Sequence, residues 1–183
     1  MNTKILVRPK LSVKMQALAT LIAVAAAVAL PQACHLIGHA TGTGTGLGEM
    51  LLPMHLPVLL VGLLAGPYAG AAAGALSPLV SFALTAMPGA AMLPFMVIEL
   101  CAYGLTIGLI HATKMPTLAK VLIAQVGGRA VRAVALLIAV YALGISNVGV
   151  ATIWMSIPAG ILGLAIQWTV IPAVMVFVQR KGE

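Results

Sequence analysis

The chain contains no aspartate. Its 183 residues carry three acids, Glu49, Glu99 and Glu183, against ten lysines and arginines. Only 7% of residues are charged and 62% are apolar, where soluble domains run near ~25% and ~45–50%. So few charges cannot cover a water-facing surface, which excludes an ordinary soluble domain and requires most of the chain to face lipid. Aromatic residues are scarce, at 4%, so there are few rings on which a large flat ligand could stack. The two cysteines, Cys34 and Cys101, form no CxxC spacing, which supports neither a zinc knuckle nor a thiol redox motif. Both read as small packed residues. A GxxxxGK[ST] phosphate loop is absent, no segment is polar enough to be a soluble ATPase domain, and no cofactor is expected.

The net charge of +7 would suit nucleic acid if it formed a stripe, but it does not. Lys4, Arg8, Lys10 and Lys14 precede the first apolar run, Lys114 and Lys120 lie between two later runs, and Arg180 and Lys181 close the chain. Clustering of this kind sets membrane topology; no nucleic-acid partner is expected. The basic start followed by "ALATLIAVAAAVAL" resembles a signal peptide. Pro31 and Gln32 stand where cleavage wants small residues, so a retained helix is expected.

A crossing helix needs about 20 apolar residues. Six candidates follow: Met15 to about Ile37, about Met50 to Ala65, Pro67 to about Ala86, Ala91 to His111, Lys120 to Gly144, and about Ile153 to Val178. Gly66-Pro67, "MPG" (87–89), "KMPT" (114–117) and "ISNVG" (145–149) punctuate the later ones. The expected fold is an all-α membrane protein of six transmembrane helices with both termini cytoplasmic, since that arrangement places each charge cluster inside. Its parts are a basic segment 1–14, a membrane domain 15–178 and a tail 179–183. The outer connections are then 38–49, 87–91 and 145–152. Ala19, Ala23 and Ala27 recur every fourth residue on helix 1, with Ala25 and Ala29 on a neighbouring face. Such faces pack backbones closely in lipid, within one bundle or against a partner subunit.

The segment "CHLIGHATGTGTGLGEMLLPMHLP" (34–57) gathers Cys34, His35, His39, Glu49 and His55 near one mouth. His35 and His39 share a helical face that could bind a metal, but no ligand spacing is diagnostic and no metal is expected. The glycines at 42, 44, 46 and 48 suit a flexible lid over a ligand.

Three ionisable residues fall at bilayer depth, where charge is costly and marks a cavity or a pair. They are Glu99 in the fourth helix and Arg129 and Arg132, three apart on one face of the fifth. Glu99 can brace one arginine, and the other suits a carboxylate, phosphate or carbonyl-rich ligand. Gln167, mid-way along the sixth helix, either bonds a neighbouring helix or reads a ligand edge. Trp154 and Tyr141 read as interfacial belt residues, and Asn147 and Ser156 as turn and helix-end residues.

The run "MHLPVLLVGLLAGPYAGAAAGALSPLVSFALTAMPGAAMLPFMVIELCAYGLTIGLI", with "GGRAVRAV" and "IPAGILGLAIQWTVIPAVMV", resembles the substrate-binding (S) components of energy-coupling factor transporters over about residues 15 to 178. The resemblance implies a non-catalytic subunit in the cell membrane that binds a vitamin-like small molecule outside. Its implied partners are a transmembrane coupling protein and two cytoplasmic ATPase subunits. It also implies that an AxxxA face, here Ala19, Ala23 and Ala27, contacts the coupling protein, and that the 38–49 loop closes over the ligand. The expected substrate-reading residues are Glu99, Arg129 and Gln167, with Arg132 and His55 behind them. Sparse aromatics point away from riboflavin and folate. The Met-His-x-Pro start of the metal-importing relatives is internal here, at 54–57, and cannot supply a terminal amine.

Two other classes compete. A self-sufficient proton-coupled carrier would use Glu99 as its relay, although no internal repeat is visible. An intramembrane hydrolase would need a nucleophile such as Ser77 or Ser81, but no GxS motif with a matching histidine is present.

Overall fold

The computed structural model describes residues 11–145 and 147–180; for Ser156, Ile157, Ala159 and Gln179 only the backbone is described. Lys4, Arg8, Lys10, Lys181 and Glu183 therefore lie outside the described residues or side chains, as does the side chain of Ser156.

Among the described residues the chain is helical throughout. The elements are α1 (Val13–Ala40), α2 (Gly46–Leu51), α3 (His55–Ala65), α4 (Pro67–Thr85), α5 (Leu93–Leu109), α6 (Thr117–Leu137), α7 (Ala151–Ala159) and α8 (Ile161–Arg180). One π-helical stretch, Ile138–Ala142, continues α6. Five helical stretches are long and apolar enough to cross a membrane: Val13–Ala40, Gly46–Ala65, Pro67–Thr85, Thr117–Ala142 and Ile161–Val178. Apolar α5 is shorter, at 17 residues, which at 1.5 Å per residue is about 26 Å. Large apolar side chains cover the outside, among them Leu21, Ile22, Leu84, Leu109, Val126 and Phe177. That is the surface of a protein solvated by hydrocarbon.

The bundle is drawn together by missing side chains. Gly70 and Gly74 on α4 face α5, and Gly104 and Gly108 on α5 face back. A Cβ on Gly104 would strike the carbonyl of Gly70, one on Gly74 that of Leu100, and one on Gly108 the backbone of Pro67. Each helix thus carries a GxxxG face read by its neighbour, which gives backbone-to-backbone packing where no hydrophobic effect drives helices together. Around this seam Val58, Leu59, Leu100, Tyr103, Ile107, Val121 and Ile171 form the core. Gly66, at φ +93°, turns α3 into α4, and Pro67 opens α4, where its missing N–H costs nothing.

The structure departs from the sequence expectation in three places. The 38–49 segment is not a long loop. Helix α1 runs on to Ala40, and Thr41 Oγ1 closes it by donating to the Ile37 carbonyl at 2.9 Å. Residues 41–45 make a turn with Gly42 and Gly44 at positive φ, and α2 begins at Gly46. The second expected helix is divided at Leu52–Met54, where Leu52 adopts the left-handed conformation (φ 47°). The sixth is divided at Gly160, whose φ of −95° and ψ of 7° end α7. Gly160 and Gly163 lie against Leu52 and the Leu51 backbone, so α2 seats directly on α8.

Candidate functional site

A cavity of about 540 Å³ is lined by residues of α1 to α7 and of the connections 52–54 and 86–92. Helix α1 contributes Pro31, Gln32 and His35 to its wall. Gly48, Glu49 and the Leu52–His55 turn form the roof. Met92 precedes α5, which contributes Met96 and Glu99; helix α6 contributes Arg129 and Arg132, and Thr152 and Met155 come from α7.

Glu99 is 2% exposed and uses both carboxylate oxygens. Arg132 Nη1 donates to Oε2 at 2.9 Å, and Tyr103, one turn further along α5, donates its hydroxyl to Oε1 at 2.9 Å. The Tyr103 ring in turn meets the His55 ring, with centroids 5.3 Å apart and planes at 53°. Gly128 lets α6 come this close, because a side chain there would collide with the Tyr103 ring. The Gly128-Arg129 pair of the sequence therefore has a steric reason as well as an electrostatic one. A single acid has selected Arg132 as its partner, so the charge of Arg129 is not matched by Glu99.

Five buried side-chain nitrogens have no hydrogen-bond partner among the described residues: Gln32 Nε2, His35 Nδ1, His55 Nδ1, Arg129 Nε and Arg132 Nε. All five belong to residues lining this cavity. Buried polar groups are normally satisfied; these five come from α1, α3 and α6 and lie within the layer of side chains around the cavity. The structure therefore brings Glu99, Arg129, Arg132 and His55 together.

Gln167 is placed differently. It is buried, at 1% exposure, but does not line the cavity. Its Oε1 accepts from Gln125 Nε2 at 2.8 Å, and its Nε2 donates to the Leu52 carbonyl at 3.3 Å. Gln125 Oε1 accepts from Trp168 Nε1 at 2.7 Å. The chain α6–α8–Leu52 so formed pins the turn that forms part of the roof. Gln125 went unnoticed in the sequence because a lone amide in an apolar helix has no periodic signal until its partner is known.

Ala23 and Ala27 are turned inward. They are 6% and 0% exposed and belong to the same core as Ala69 and Ala73 of α4, with Ala19 packed at its edge. Thr20 Oγ1 reaches the Ala69 carbonyl at 3.4 Å on the same side. Ala23 and Ala27 thus pack within the chain's own bundle, while Ala25 and Ala29 remain exposed. Lys120, read as a loop charge, is buried and donates Nζ to the His111 carbonyl at 2.6 Å.

Of the histidine-rich segment, His35 and Glu49 line the cavity and His39 is exposed. Among the described residues no three His, Cys, Asp or Glu side chains gather to hold a metal ion. Ser77 donates to the Ala73 carbonyl at 2.6 Å, as an ordinary helix hydroxyl does.

No curated protein and no solved structure matches the chain. The family model described as ECF transporter, substrate-specific component, matches residues 14–175. With that match running from α1 into α8, the chain belongs to the substrate-specific components of ECF transporters.

Proposed function

We propose that this chain captures a vitamin-like organic micronutrient on the outer side of the cell membrane. It would then deliver that cargo with a separate transmembrane coupling protein powered by two cytoplasmic ATPase subunits. In this reading the chain crosses the membrane six times with both termini inside. The cavity is then lined at its outer end by residues next to the three outer connections, Gly48, Pro88 and Thr152. The single observation that carries the reading is one cavity that brings Glu99, Arg129, Arg132 and His55 together inside an apolar bundle. Its volume of about 540 Å³ falls within the ~300–1,000 Å³ range of small-molecule pockets.

Glu99, Arg129, Arg132 and His55 are the ligand-reading groups in this proposal, with Gln167 and Gln125 holding the roof in register. The α1 face that carries Ala25 and Ala29 is the small-residue surface left for the coupling protein.

The test is reconstitution in liposomes with and without the coupling and ATPase subunits. Uptake that requires ATP hydrolysis supports the reading. Uptake by the chain alone, driven by a proton gradient, would overturn it in favour of a secondary carrier.

A further inference from the structure

A second space, of about 220 Å³, is lined by α6 and α7 alone. From α6 come Arg129, Arg132, Ala133 and Leu136, which at i, i+3, i+4 and i+7 share one face, together with Ala130 beside them. Ile153 and Trp154 line it from α7. Ala130 is exposed and Trp154 is 70% exposed, so this space is a groove open on the outside of the bundle.

The groove and the main cavity have two lining residues in common, Arg129 and Arg132. On α7 they divide the helix between them. Thr152 and Met155 line the cavity, whereas Ile153 and Trp154 line the groove. At 100° per residue these two pairs point in opposite directions. Helix α7 is therefore a wall one helix thick between the cavity and the lipid-facing groove, and the two arginines meet it from α6.

That wall is lightly embedded. No described side chain of α7 is buried. Ile153 packs on a small cluster of Phe95, Leu136, Ala139 and Val148, separate from the main core. Beyond Leu136, α6 loosens into the π-helical stretch Ile138–Ala142, a distortion that recurs at functional sites. At its other end α7 stops at Gly160, which rests on Leu52. Elements with few buried apolar contacts are the ones that open locally.

The polarity of the groove says what it serves. In the capture-subunit reading α6 runs outward from Thr117, so Leu136 is nearer the outer surface and Arg129 lies about 10 Å deeper. A phospholipid of the outer leaflet has the reverse order, charge at the surface and chains below. The groove instead suits a solute moving inward along an apolar path that ends at guanidinium groups.

We propose that α7 is a side gate. When it swings on Gly160, groove and cavity become one space, and cargo enters between α6 and α7 from the outer leaflet, past Arg129 and Arg132. The molecules admitted this way are amphiphilic ones that partition into the bilayer, and the roof over the cavity need not lift for them. This inference rests on the capture-subunit reading, and the experiment separates the two.

The full-length chain, with Cys34→Ala and Cys101→Ala, carries one reporter thiol in the cavity, Met96→Cys, and is reconstituted in liposomes. It is labelled either with pyrene maleimide dissolved in the bilayer or with sulfonatoethyl methanethiosulfonate in the outer water. A Leu84→Cys reporter, on the exposed outside, checks in each variant that the bilayer reagent is present and the protein folded. Ala130→Trp, which fills the groove from an exposed position, should slow labelling of the cavity thiol by pyrene maleimide at least about tenfold, as closing a gated path implies. Labelling by the water-soluble reagent should not change. Ile153→Ala, which loosens the small cluster, should speed the bilayer reagent, so the proposal stays testable if Ala130→Trp fails to fold.

The gate is overturned if pyrene maleimide never reaches the cavity thiol, or reaches it at the same rate in both variants. Equal slowing of both reagents by Ala130→Trp also overturns it, because the change then acts on the cavity itself. A phospholipid retained by the native chain in mass spectrometry and lost in Ala130→Trp, with labelling unchanged, makes the groove a lipid site instead. Labelling needs neither cargo nor partner subunits. Uptake that depends on ATP hydrolysis therefore keeps the capture-subunit reading when the gate fails, and uptake by the chain alone removes that reading while the labelling result stands.

Discussion

Arg132 and Glu99, 33 residues apart in sequence, meet at 2.9 Å between α6 and α5, and the carboxylate also accepts from Tyr103. Removing one member of such a buried pair leaves the other charge uncompensated. Glu99→Gln is expected to lower stability by about 3–5 kcal/mol. The double variant E99Q/R132Q should be less destabilised than the sum of the two single changes, because the partners share one interaction. Thermal unfolding of the four proteins in one detergent measures both.

Gln167 holds the Leu52 carbonyl from α8, and Leu52 is the left-handed residue that ends α2. Gln167→Ala removes that bond and leaves Gln125 short of an acceptor, at a cost of about 1–3 kcal/mol. The more specific expectation is local. Hydrogen exchange should rise over residues 46–54 while α4 and α5 stay protected, because the roof is tied to the bundle through this amide.

The glycine seam and the glycine turn should respond oppositely to a methyl group. Gly104→Ala places a Cβ against the Gly70 carbonyl and should separate α4 from α5, costing about 3 kcal/mol or more. Gly42 has φ +78° but open space around it, so Gly42→Ala should cost only about 1–2 kcal/mol of backbone strain. Melting temperatures of the two variants decide the ranking.

The two alanine faces of α1 should also separate. Ala27 is fully buried, and Ala27→Leu should destabilise the bundle by overpacking, about 1–3 kcal/mol. Ala29 is exposed, and Ala29→Trp should leave folding and ligand binding intact while reducing co-purification with a coupling protein. If Ala29→Trp leaves the complex intact, the coupling protein docks elsewhere.

What could be read from the sequence was mostly what lipid demands. Long apolar runs are obligatory where the solvent is hydrocarbon, so the helices of α1, α4, α5, α6 and α8 were visible as runs bounded by Gly-Pro and charged turns. Glu99, Arg129 and Arg132 stood out for the same reason, since charge at that depth demands a partner or a cavity. The glycine-rich stretch 38–49 misled because glycine was taken as freedom. Gly48 instead lets α2 pass over the His35 ring, while Gly160 and Gly163 seat α8 against Leu52 and the Leu51 backbone.

Choices between equivalent candidates were left to the tertiary structure. One-dimensional spacing places Arg129 and Arg132 on one face but cannot say which meets Glu99; the Gly128–Tyr103 contact sets the approach that favours Arg132. Spacing likewise makes Ala19, Ala23 and Ala27 as suitable for a partner as for α4, and burial resolves them inward. The cavity methionines, Met54, Met87, Met92, Met96 and Met155, had no sequence signature at all, because they come from separate helices and turns and border one space only when those pack. Periodicity records what each helix shows to lipid, whereas a binding site is made of what different helices show to one another.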